Sequence, residues 1–168
     1  MYTTRAQCTT AKAAGGRARG CRHNPPGENT WAASEAMRHL TDYTEGDECL
    51  RYALRSLELR EEMRFTCGLP PAQLLVSAIY IARGEWAQAL KYCQQARQLA
   101  EELGLRVHLM YALLTQGEIE YTQGRLAEAR EYLEKSSALA HELNTARGIA
   151  ATDEKLAMLA GEQKADGV

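Results

Sequence analysis

Few side chains in this 168-residue chain have types and spacings that bear on chemistry. His141-Glu142 opens like a helix motif in which two histidines one turn apart hold zinc and a glutamate acts as base. The second histidine is missing, because Thr145 stands in its place, so no metal pair forms. Cys21 and His23, with distant Cys8, lack zinc-site spacing, and His23, His39, His108 and His141 share no ligand interval. Gly15, Gly16 and Gly20 lack both the flanking strand of a dinucleotide fold and the lysine of a phosphate loop. Glu61-Glu62 and Glu101-Glu102 resemble carboxylate pairs that divide acid and base work. They recur at a fixed interval, however, which marks them as solvated ends of equivalent helices. With no nucleophile–base constellation, the chain reads as a non-enzyme without metal or other cofactor.

That interval is forty residues, and it organises the chain. Tyr52, Tyr92 and Tyr132 keep it, as do Ser56, Ala96 and Ser136, and Leu59, Leu99 and Leu139. Met63, Leu103 and Leu143 follow, with Glu62, Glu102 and Glu142 beside them. A repeat array is the consequence. Within one copy, Trp86, Ala89, Leu90, Cys93, Ala96, Leu99, Ala100 and Leu103 recur at three- and four-residue steps, one wide face of an amphipathic helix. Gly104 suits the left-handed residue that ends it, and Asn144 is the next-best residue for the same duty. Gly84 and Gly124 mark the tight turns of helical hairpins, and Pro70 and Pro71 suit the first turn of a helix.

Composition agrees. Apolar residues make up 45% and charged residues 25%, and the net charge of −2 gives no general bias toward nucleic acid or an anionic membrane. No apolar run approaches the ~20 residues that span a bilayer, and the first residues lack a secretory h-region. Cys49 and Cys93 stand where other repeats carry Ala or Leu, so they read as small buried hydrophobes in a reducing, cytoplasmic setting. In residues 1–30, five basic side chains against Glu28 give +4, which leaves −6 for the remainder. That first segment holds almost nothing apolar at helical spacing, so disorder is expected, either as a passive leader, a transit peptide or sequence upstream of a start at Met37.

At Gly84–Trp86–Ala89–Ala96 with Tyr80 ahead, and at Gly117–Gly124–Leu126–Ala129, the chain resembles the tetratricopeptide repeat. The period exceeds the usual ~34 residues, which lengthens both helices by nearly a turn. Long repeats ending as Leu99–Gly104 does look like the sensor arrays of large bacterial regulators of the maltose-activator type. The resemblance implies an all-α, right-handed superhelical solenoid of antiparallel hairpins with about seven helices. Repeats are placed at about 31–69, 70–105 and 106–145 within a domain of 31–168, with a capping helix over 146–163. In the first repeat Gly46 falls two residues late for its turn, so that hairpin is expected to be irregular. Gln116 and Glu120 replace a leucine and an aromatic of the family pattern, which leaves the register of residues 106–123 open.

In the resembling family the first helix of each hairpin lines a concave groove. Carried onto this chain, the lining is Pro71, Leu74, Ala78 and Ile81, then Tyr111, Leu114, Glu118 and Tyr121. Such a groove is apolar and aromatic with one acid, and lacks the lysine and asparagine set that clamps a C-terminal carboxylate. It suits an amphipathic helix or an extended apolar peptide. The same residues could instead pack between repeats. The function implied is a protein-interaction scaffold; a peptide- or ligand-sensing segment of a bacterial transcription regulator is the alternative. A protein or peptide partner is expected, with no nucleic acid or membrane, and a homodimer stays open. Removing residues 1–30 should leave the melting temperature nearly unchanged. A drop of ~10 °C or more would show instead that the segment docks, since 1 kcal/mol moves such a domain by only ~2–8 °C.

Overall fold

A computed structural model describes residues 28–165, with side chains over 30–161, so the expectation of disorder in residues 1–27 lies outside the described residues. The described chain is helical: α1 (Glu28–Leu40), α2 (Gly46–Glu62), α3 (Leu69–Ala82), α4 (Trp86–Leu103), α5 (Arg106–Thr122), α6 (Leu126–Glu142) and α7 (Ala146–Ala165), with a short 3-10 turn at Thr66–Gly68. Each helix packs on its neighbours in sequence, α3 also touches α5, and α5 also touches α7. The result is a solenoid of stacked antiparallel hairpins, the all-α architecture that the forty-residue interval implies. The burial classes of residues 81–100 recur position for position in residues 121–140.

The turns show how little sequence is needed to build this. Gly84 has φ +72°, and the Glu85 and Gly84 N–H groups donate to the Tyr80 and Ile81 carbonyls at 2.9 Å each. Gly124 has φ +75°, with Arg125 and Gly124 donating to Glu120 and Tyr121. The same pair of bonds ends α4 at Gly104, α6 at Asn144 and α2 at Arg64. This is the Schellman arrangement, which satisfies the last carbonyls of each helix and needs a left-handed residue. Glycine adopts that conformation without steric cost, and asparagine nearly so. Arg64, at φ +53°, takes the position of Gly104 and Asn144 in the first repeat with no such advantage.

Between turns, the paired helices approach closely because small residues line their crossings. Ala53, Ala89 and Ala129 are 1%, 0% and 0% exposed, and Ser56, Ala96 and Ser136 are each 0% exposed. Where a polar small residue is used, it finds a carbonyl on the facing helix. Ser77 Oγ donates to the Ala89 carbonyl at 2.8 Å, Ser136 Oγ to Met110 at 2.8 Å, and Cys93 Sγ to Ala112 at 3.2 Å. Gly117 cannot be larger without movement: an added Cβ would lie 2.8 Å from Leu133 Cγ and 3.3 Å from the Ala129 carbonyl oxygen. Around these crossings pack Leu133, Ile119, Met110 and Val76, each at most 1% exposed. Full burial of such side chains stabilises by about 1.5–3 kcal/mol each.

The first hairpin departs from the others, as its late glycine implies. Residues 41–45 separate α1 from α2, a longer link than the three residues at the later turns, and Gly46 itself has φ +62°. Arg60 stands at the forty-residue position of Ala100 and Ala140, and is buried. Its guanidinium donates to Glu35 Oε1 at 2.5 Å and to Ser56 Oγ at 2.8 Å. Burial would raise the Glu35 carboxyl, but hydrogen bonds and charge from Arg38 and Arg60 outweigh it and hold that group below its usual range. At the other end α7 packs on α6, with Leu159 at 0% exposure joining Ala129 and Leu133 in one cluster.

Replacing Ala96 by leucine should lower stability by about 1–3 kcal/mol, because the crossing has no room for the larger group. Gln95→Leu, on the exposed side of α4, should change the denaturant midpoint far less. Equal shifts for the two variants would contradict this facing of the helix.

Candidate partner-binding groove

The proposed lining residues stand on α3 and α5, the leading helices of two successive hairpins, which lie in contact. On α3, Pro71 and Ala78 are exposed, and Leu74 and Ile81 are half-buried. On α5, Tyr111, Leu114, Glu118 and Tyr121 are all half-buried. Their spacing of three, four and seven residues puts each set on one helical face. None of the eight is fully withdrawn from solvent.

They divide by what they touch. Ile81 packs against the cluster of Ala89, Cys93 and Ile119, and Leu114 and Tyr121 pack against Ala129, Leu133 and Leu159. These three therefore help to hold successive helices together while keeping part of their surface open. Leu74, Ala78 and Tyr111 belong to none of the described clusters. Glu118 is not a free charge: Lys155 of α7 donates to its Oε1 at 2.7 Å. The ion pair neutralises the one acid of the lining and joins α5 to α7.

The register of α5 is now settled by its buried side. Gln116 and Glu120 are 3% and 7% exposed, in the places that Val76 and Tyr80 take on α3. Tyr80 stacks on Tyr92 with ring centroids 5.7 Å apart. At the equivalent place on α5, Glu120 instead accepts hydrogen bonds from Arg125, and Tyr132 lies under the Arg97 guanidinium at 6.0 Å. Among the described residues, nothing partners the amide oxygen of Gln116. Two polar residues thus occupy core positions without turning the helix, because neighbouring apolar residues already hold its face.

Other residues singled out by sequence are placed as follows. His141 is exposed, and Glu142 pairs with Arg106. Burial pushes the Cys93 thiol up to about 12, so it stays protonated and unreactive at neutral pH. Burial also holds His108 below the usual imidazole range, which favours its neutral form. Among the described residues, no three His, Cys, Asp or Glu side chains stand together as a metal site, and no helix is long and apolar enough to cross a membrane. Cys8, Cys21, His23 and the glycines at 15, 16 and 20 lie outside the described residues.

Sequence reasoning missed two ion pairs, one at each end of the described array. Lys155 falls at the repeat position of Leu75 and Thr115, so nothing in the register announces its pairing with Glu118. The Glu35–Arg60 pair did leave a trace, since Arg60 breaks the run of alanines at positions 100 and 140.

Comparison with known proteins agrees with this geometry. A family model of the tetratricopeptide repeat matches residues 71–164, which holds α3 through nearly all of α7. No curated protein matches the sequence significantly. Hairpins closed by glycine, small residues at each crossing and a model match over more than half of the sequence lead to one conclusion: the chain belongs to the tetratricopeptide repeat family.

Proposed function

We propose that the chain is a protein-interaction scaffold that holds a partner helix or extended apolar peptide along α3 and α5. Repeats of this family generally mediate protein–protein interaction; the groove and the kind of partner are our reading. The observation that carries it is the set of apolar side chains left partly open on successive leading helices: Leu74, Ala78 and Ile81, then Tyr111, Leu114 and Tyr121. Glu118 adds little net charge because Lys155 covers it. An apolar, aromatic, nearly neutral face selects a partner by shape and burial, so affinity rests on a few anchors. Tyr111 is the best candidate anchor, because its ring is half-buried yet belongs to no described cluster.

Two variants test this. Tyr111→Ala should keep the wild-type melting temperature within about 2 °C and weaken binding of a captured partner by about tenfold or more, the usual effect of losing an aromatic anchor. Tyr121→Ala should destabilise the folded chain by about 2 kcal/mol, below the ~3–5 kcal/mol of a fully buried ring, since this side chain also packs on Leu133 and Leu159. Undiminished binding by Tyr111→Ala, at intact stability, would overturn the groove.

A further inference from the structure

We infer that α1 is a strap held to the array by a polar latch, and that it opens as a unit while α2–α7 stay folded. Ser34 is the one buried side chain described on α1, and no α1 residue belongs to the described apolar clusters. Buried hydrogen bonds join α1 to α2, and the half-buried Met37 lines a cleft beside Leu50 and Leu54. Ser56 Oγ donates to the Ser34 carbonyl at 2.9 Å, and Ser34 Oγ donates back to the Ser56 carbonyl at 3.4 Å. Arg60, 5% exposed at its side chain, reaches Glu35 at 2.5 Å, while Arg38 holds the other Glu35 oxygen at 3.2 Å.

Such contacts contribute little net stability when formed, because water would solvate the same groups in the open state. A helix of 13 residues has little stability of its own. The later hairpins lack the arginine, since Ala100 and Ala140 stand in its place, and apolar clusters join their helices. The five-residue link 41–45 and the positive φ of Gly46 supply the hinge. Opening bares the α2 strip of Ser56 and Arg60, so the Arg60 guanidinium is reachable only in the open state.

Native-state hydrogen exchange on the full chain tests the latch. In the wild type, α1 amides should exchange at least about tenfold faster than those of α4 and α5, through an opening that leaves the latter protected. Arg60→Ala, which installs the residue of the other repeats but removes the cross-helix partner of Glu35 and leaves it only Arg38 of its own helix, should speed α1 exchange by a further tenfold or so. Glu35→Gln should act in the same direction, and Glu131→Gln, at an exposed pair with Lys135 on α6, should not. Exchange of α1 in step with α4 and α5 in the wild type would overturn the strap. Unchanged α1 exchange in both Arg60→Ala and Glu35→Gln would overturn the latch.

Discussion

The structure depends on how closely two helices can approach at each crossing. Ala89 faces that limit in the second repeat and Ala129 in the third, both fully buried. Any larger side chain there would widen the hairpin and separate the residues stacked above it. Gly117 shows the same limit from the opposite helix, where a single methyl group would meet Leu133 and the Ala129 backbone. Close approach also brings backbone carbonyls within reach of small polar side chains. Ser77 and Ser136 use this, so their burial leaves no unsatisfied hydroxyl. Helix spacing therefore follows from residue size, and the outward face of each leading helix follows from the spacing.

The two ends of the array meet this constraint differently. At one end, α7 places Leu159 against Ala129 and Leu133, so it continues the apolar stacking. Its polar face carries Asp153 and Glu154 into solvent. At the first hairpin, Arg60 fills a crossing that elsewhere takes alanine, and its charge must be matched by Glu35 across the interface. A buried pair of this kind specifies a partner geometry more than it stabilises. The longer link and the left-handed Arg64 belong to the same departure.

Much of this was legible because the same local physics recurs. The stop at Gly104 and Asn144 could be read in advance, since few residues tolerate the left-handed conformation that ends a helix there. The irregular first hairpin could be read from the position of Gly46. Arg64 could not, because arginine gives no local signal for positive φ. The Lys155–Glu118 contact was also illegible: it joins residues 37 apart on α7 and α5 and follows no repeat interval. The candidate groove was legible only by resemblance. Residue types alone did not separate Leu74 and Tyr111, which pack in no described cluster, from Ile81, Leu114 and Tyr121, which also bind repeats together.

That division gives the face its character. In the proposed groove, residues with a structural share supply a fixed floor, while Leu74, Ala78 and Tyr111 would set partner preference. Hydroxyl-radical footprinting of the chain with and without a bound partner protein tests this most directly, because it reports side-chain exposure residue by residue. The account predicts that the partner shields Leu74 and Tyr111 and leaves Tyr52, Tyr92 and Tyr132 on α2, α4 and α6 unchanged. Shielding of those three tyrosines, with Leu74 and Tyr111 still open to solvent, would contradict it.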